Sequence, residues 1–272
     1  MTYGIHFFMY IVGISPILQG FGQYAVAAVM WVPAVAALIT IKWVTREPLN
    51  SLNIRFADWR PYLFTLFIIP ACFLAIYLLT YFLGLGKPDW NMSLLNNLYT
   101  KQGLQAPEIS DVKTVWIFLY LATFLLAPII NSVFGFGEEL GWRGYLLPKL
   151  MPLGKWKAYS LLAIIWAAWH FPMVWVGFMY PGFPLAGMLF FILLTFSLGI
   201  YMNELTLKFQ SSLLPGFIHG VFNSQRLGVW TLLFPQVNPV LGGFSGITGI
   251  VVWAILGISV MYGLNSKHKL FF

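Results

Sequence analysis

Three short stretches of this chain hold residues able to do acid–base and hydrogen-bond chemistry in otherwise apolar surroundings. The first is Gly135-Phe136-Gly137-Glu138-Glu139, followed by Arg143. On a helix Glu139 and Arg143 are neighbours at i, i+4. Arg143 can therefore hold Glu139 ionised while the adjacent Glu138 points another way, into a cavity, as a general base. The two glycines are expected to break the helix, and broken backbone at membrane depth persists only where protein or water lines it. The second stretch is Trp166-x-x-x-His170, just before Pro172. The third is His219-x-x-x-Asn223. At i, i+4 its two side chains share one helix face and present two donors side by side, which is what an oxyanion requires. A carboxylate base, a second imidazole and two convergent donors make a hydrolytic site without a Ser or Cys nucleophile. That chemistry calls for no cofactor and no metal ion.

These stretches lie in a chain that the bilayer must solvate. Its 272 residues are 60% hydrophobic and 18% aromatic but only 8% charged, against roughly a quarter charged in an ordinary soluble domain. Apolar windows of about 20 residues, long enough to cross a bilayer, recur near Gly4 to Gln19, Tyr24 to Trp43, Leu63 to Leu85, Thr114 to Phe134, Ala158 to Phe178, Pro184 to Leu205, Leu213 to Phe234 and Gly246 to Tyr262. The expected fold class is all-α, a polytopic membrane protein of about eight helices around a polar intramembrane cavity. With no repeat and no linker, residues 1–272 read as a single membrane domain with a catalytic core at about 114–234. The N-terminal segment lacks the basic stretch of a secretory signal and is expected to stay as a helix.

Charge placement sets the expected topology. Lys42, Arg46, Arg55 and Arg60 share one loop, Lys149, Lys155 and Lys157 another, Lys208 sits in a third, and Lys267 and Lys269 lie at the end. Eight spans put all of these on one side, which the positive-inside rule assigns to the cytoplasm together with both termini. The opposite side carries the interval Lys87 to Lys113, where Lys101 is diluted by Asp89, Glu108 and Asp111. A net charge of +7 spread singly between apolar runs forms no nucleic-acid-binding stripe. The expected partners are a peptide or lipidated-protein substrate and membrane lipid, not nucleic acid. In a prokaryote the location is the cell membrane.

Other polar residues take structural readings. Glu47 and Asp58 lie in polar loops, His6 and His268 lie near the ends, and Cys72 is a lone thiol inside an apolar run. Glu204 and Lys208, again at i, i+4, read as an interfacial ion pair. The carboxylate pair and Arg143 also admit a purely structural reading, as a charge cluster that fixes helix packing.

The three stretches, in this order and on successive spans, resemble the CAAX-protease and bacteriocin-processing family, which includes the type II CAAX prenyl endopeptidases. The resemblance rests on Glu138-Glu139-x-x-x-Arg143, on the aromatic-x-x-x-His at Trp166 and His170, and on His219-x-x-x-Asn223, over roughly Phe134 to Asn223; Ser212-Leu213-Leu214-Pro215 is similar as well. It implies an intramembrane glutamic endopeptidase in which Glu138, helped by His170, activates a water while His219 and Asn223 stabilise the oxyanion. Glu139 and Arg143 would orient the site. Trp166 stands where phenylalanine is more usual, a departure expected to touch cavity shape rather than chemistry. The resemblance leaves the substrate open between prenylated CAAX proteins and bacteriocin-like or leader peptides. Two alternatives stand beside it: a zinc metalloprotease using Glu138, His170 and His219, although His-Glu-x-x-His is lacking, and a catalytically idle membrane binding or immunity protein. A transporter is disfavoured because the polar broken segment occurs once, without a counterpart in the other half.

Overall fold

The computed structural model describes residues 2–5, 27–101 and 112–265. Among them the chain is helical, with no strand element beyond one isolated antiparallel bridge between Gly86 and Val237. Six helices are long and apolar enough to cross a membrane: α1 (Ala27–Val44), α2 (Trp59–Phe82), α4 (Val112–Leu153), α5 (Lys155–Trp175), α6 (Pro184–Phe209) and α9 (Ile247–Leu264, running on to Asn265). Between them lie α3 (Ser93–Lys101), α7 (Leu213–Leu227) and α8 (Val229–Leu233). The expected span Gly4 to Gln19 falls mostly outside the described residues, as do residues 102–111, with Glu108 and Asp111, and the terminal lysines. The expected span Leu213 to Phe234 is divided at Gly228 into α7 and α8.

Local chemistry sets the helix ends. Asp58 caps α2 by accepting from Arg60 N at 2.9 Å, and Pro184 opens α6, which closes on Gln210 in the left-handed conformation. Helix α4 contains 42 residues, about 63 Å at 1.5 Å per residue, twice a hydrocarbon core of about 30 Å. In its first half Ile117, Phe118, Leu126 and Ile129 are 61–68% exposed, an apolar face of the kind that lipid covers. The second half carries the candidate site.

The glycines of that half do something other than expected. Helix α4 runs unbroken through Gly135 and Gly137 to Glu139, then widens into a π-helical stretch over Leu140–Leu146. The glycines instead let helices touch. A Cβ on Gly135 would stand 2.7 Å from the Gly216 carbonyl oxygen, one on Gly216 would meet Phe136 Cα at 2.9 Å, and one on Gly220 would press on Ser132 backbone nitrogen at 2.5 Å. Gly216-x-x-x-Gly220 is thus a small-residue seam on which α4 and α7 cross at backbone distance. Helix α6 lies between α5 and α9, and an aromatic core of Phe73, Tyr77, Phe222, Trp230, Phe244 and Trp253 fills the bundle.

Two groups of loops mark the ends. Arg55 Nε donates to the Gln210 carbonyl at 2.7 Å, Ser212 N donates to the Asn53 carbonyl at 3.0 Å, and Lys149 reaches Glu47 at 2.6 Å. The contact with Lys149 holds the Glu47 carboxyl below the usual carboxylate range. The basic loops assigned to one side therefore meet in space. At the other end Asp89 accepts from Ser93 N at 2.7 Å, starting α3, and Asp89 N donates to the Leu233 carbonyl at 2.6 Å.

Candidate active site

Helix α4 brings Glu138 and Glu139 into the interior at 2% and 0% exposure, and Arg143 at 1%. Arg143 Nη1 donates to both oxygens of Glu139, at 2.7 and 3.0 Å. The i, i+4 spacing explains why this pair forms, and burial explains why it must: an unpaired guanidinium there would be costly. Arg143 Nε donates to Asn203 Oδ1 of α6 at 3.1 Å. Sequence reading passed over Asn203, an amide in an apolar run beside Glu204.

Glu139 also reaches across the glycine seam, its Oε1 lying 2.9 Å from His219 Nδ1 on α7. An ionised carboxylate can only accept, so this bond assigns the hydrogen to Nδ1 and leaves Nε2 free to face elsewhere. Arg143, Glu139 and His219 thus form one chain of contacts across the two helices. Asn223, one turn further along α7, is buried and lines the same cavity as Glu138, His170 and His219. The cavity has a volume of about 70 Å³, sufficient for water among polar groups. Most of its remaining wall is apolar, with Met30, Phe191 and Leu194 among its members.

Trp166 lines the cavity, as expected, and also touches the candidate base. Its indole Nε1 donates to Glu138 Oε2 at 3.0 Å, a bond no phenylalanine can make. The same ring lies under the Arg143 guanidinium at 4.2 Å and edge-on to His219 at 5.7 Å, so it joins all three charged or polar groups. His170 Nδ1 lies 3.1 Å from the Trp166 carbonyl, and its ring packs against Trp169 and Phe191. Every sequence-selected site residue is thus in or directly behind one cavity.

The donor atoms of Glu138, Glu139 and His219 lie within 4.8 Å of one another. His170, part of the alternative zinc set, is not in this group. Both Glu139 oxygens are occupied by Arg143, and a dication beside that guanidinium would meet like charge. The donor set fits a metal ion poorly for that reason.

Glu204 is paired differently from expectation. It is buried, and its Oε1 accepts from Lys155 at 2.8 Å and from the Tyr159 hydroxyl at 2.9 Å, both on α5. The packing of α6 on α5 turns Glu204 inward while Lys208 stays in solvent, so the interhelical partner prevails over the i, i+4 neighbour. Arg226 on α7 also lines the cavity; it stands one turn beyond Asn223 and drew no attention in the sequence.

Residues 113–225 match the family model described as type II CAAX prenyl endopeptidase Rce1-like. Over 87 residues the chain is 34% identical to CAAX prenyl protease 2 of Methanococcus maripaludis, a match covering 30% of this chain and 32% of the relative. The matched part is thus about a third of the length of that curated relative. All four residues assigned to chemistry, Glu138, His170, His219 and Asn223, fall within the stretch that matches the family.

Proposed function

We propose that this integral membrane protein, which carries an Rce1-like CAAX prenyl endopeptidase domain over residues 113–225, is an intramembrane glutamic endopeptidase. The observation that carries the reading is the convergence of Glu138, His170, His219 and Asn223 on one cavity with room for water. Glu138, held by Trp166, takes a proton from a water in that cavity as the water attacks a peptide carbonyl. His170 assists in positioning that water. The oxygen that gains charge is received by Asn223 and by His219 Nε2. Because Nδ1 of His219 is committed to Glu139, donation through Nε2 requires the imidazolium form. Turnover therefore needs Glu138 ionised and His219 protonated together, and its pH profile is a bell whose basic limb is the loss of that proton. The collapsing intermediate returns a proton to the leaving amine through Glu138.

The substrate we assign is a peptide or lipidated protein with a CAAX-type C-terminus. The chain acts as one membrane domain with its catalytic core at about 114–234. The loops that contain Arg55, Lys149 and Lys208 face the cytoplasm, as do both termini, in keeping with the basic bias of these loops. The test is incubation of purified protein with a library of prenylated CAAX peptides and identification of products by mass spectrometry. Cleavage is expected in wild type and abolished in Glu138→Gln, which keeps the volume but cannot accept the proton, with thermal stability near wild type. Equal cleavage by Glu138→Gln, or loss of activity on chelation with recovery on added zinc, would overturn the glutamic mechanism.

A further inference from the structure

The groups lining the cavity include one cation that the proposed mechanism does not use. Arg143 is neutralised by Glu139, but Arg226 is paired with no carboxylate among the described residues. Its Nε is shut away from solvent and has no hydrogen-bond partner among the described residues. Its guanidinium carbon stands 4.9 Å from the centre of the Phe178 ring, a contact that orients the group in the cavity wall. A buried unsatisfied donor on a charged group is costly unless something arrives to use it.

We propose that Arg226 binds the free terminal carboxylate of the substrate, so that the site reads the end of a chain. This rests on the proposed function and adds the recognition of the terminus to it. Arg226 stands seven residues after His219 on α7, two turns along the same face and about 10 Å along the axis. A CAAX box ends the polypeptide three residues after its cysteine, and three extended residues reach about 10 Å. A carbonyl held by His219 and Asn223, with its tail running along α7, would thus bring the last carboxylate to Arg226. The guanidinium fork matches that group as a bidentate partner.

The test uses the full-length protein and two fluorescent farnesylated peptides, identical through Cys-Val-Ile-Met, one ending in a free carboxylate and the other in a carboxamide. Wild type is expected to prefer the acid by about 10- to 100-fold in kcat/KM, chiefly through KM, the range a charge-assisted hydrogen bond supplies. Arg226→Gln should cleave the acid and the amide with equal kcat/KM, its melting temperature near that of wild type showing that it is folded; Arg226→Lys should keep part of the preference. Equal cleavage of both peptides by wild type, or an equal loss on both in Arg226→Gln, would overturn the proposal. The same pair is titrated by fluorescence anisotropy into Glu138→Gln protein. If wild type hydrolyses neither peptide the endopeptidase reading fails, while tighter binding of the acid than of the amide, lost on adding Arg226→Gln, would still support the carboxylate site, and equal binding would sink it.

Discussion

Glu139 is the residue on which the polar cluster depends, because it accepts from Arg143 on its own helix and binds His219 on the next. Replacing one member of a buried ion pair leaves the other uncompensated, at a cost of about 3–5 kcal/mol. Glu139→Gln should therefore lower both folded yield and melting temperature along with activity, and parallel thermal unfolding and turnover assays would separate it from Glu138→Gln. Intact stability in Glu139→Gln would refute the orienting role. Trp166→Phe removes the indole donor to Glu138 and leaves a smaller ring beside Arg143 and His219. Loss of a hydrogen bond to a charged group is worth about 1.5–3 kcal/mol, so kcat should fall about tenfold or more with KM unchanged in steady-state kinetics. The ionisable members of this site were legible because a charge in apolar sequence is conspicuous. Trp166 and Asn203 were not, since neither residue type stands out there and their partners lie on other helices. Glu204 failed for the same reason: sequence displays the neighbour at i+4 but not Lys155 and Tyr159 across the helix interface.

Among the elements, the crossing of α4 and α7 determines the distance between Glu139 and His219. Gly220→Ala would push a methyl group into the Ser132 backbone, a contact that no side-chain rotation relieves. Overpacking of this kind costs about 1–3 kcal/mol, so a lower melting temperature and reduced turnover are expected together; a variant with unchanged melting would contradict the seam. The small residues were visible in the sequence, but small residues serve both to break helices and to join them. Only the partner helix decides, and the position of α7 is a tertiary fact. The division at Gly228 was hidden likewise: a Cβ there would meet Thr123 and the Ser224 carbonyl, and Thr123 also accepts from Val229 N.

For the whole molecule, the membrane-spanning plan follows from composition, and the exposed apolar face of α4 meets it. Boundaries were less legible, since the 42 residues of α4 exceed one crossing and hydropathy alone does not say where the chain leaves the lipid. The contacts Arg55–Gln210 and Lys149–Glu47 gather the basic loops at one end. A reporter inserted near Arg55 or fused after Phe272 should accordingly report cytoplasm, and one inserted near Gln102 the opposite compartment. Labelling of single-cysteine variants with an impermeant reagent, in a Cys72→Ala background, checks the same assignment; a C-terminus outside the cytoplasm would overturn it.

The π-helical stretch Leu140–Leu146 has a further consequence for how the length of this chain can vary. Each of its wide turns closes at i→i+5 and so accommodates one residue more than an α turn. Removing one residue between Glu139 and Arg143 would let the backbone relax to ordinary α geometry without changing the angular phase of what flanks it. Glu138 would still face its cavity and Leu147 its core, but Arg143 would move from i+4 to i+3 of Glu139. The segment is thus a place where insertion and deletion are separable from folding, and where the ion pair alone registers the difference.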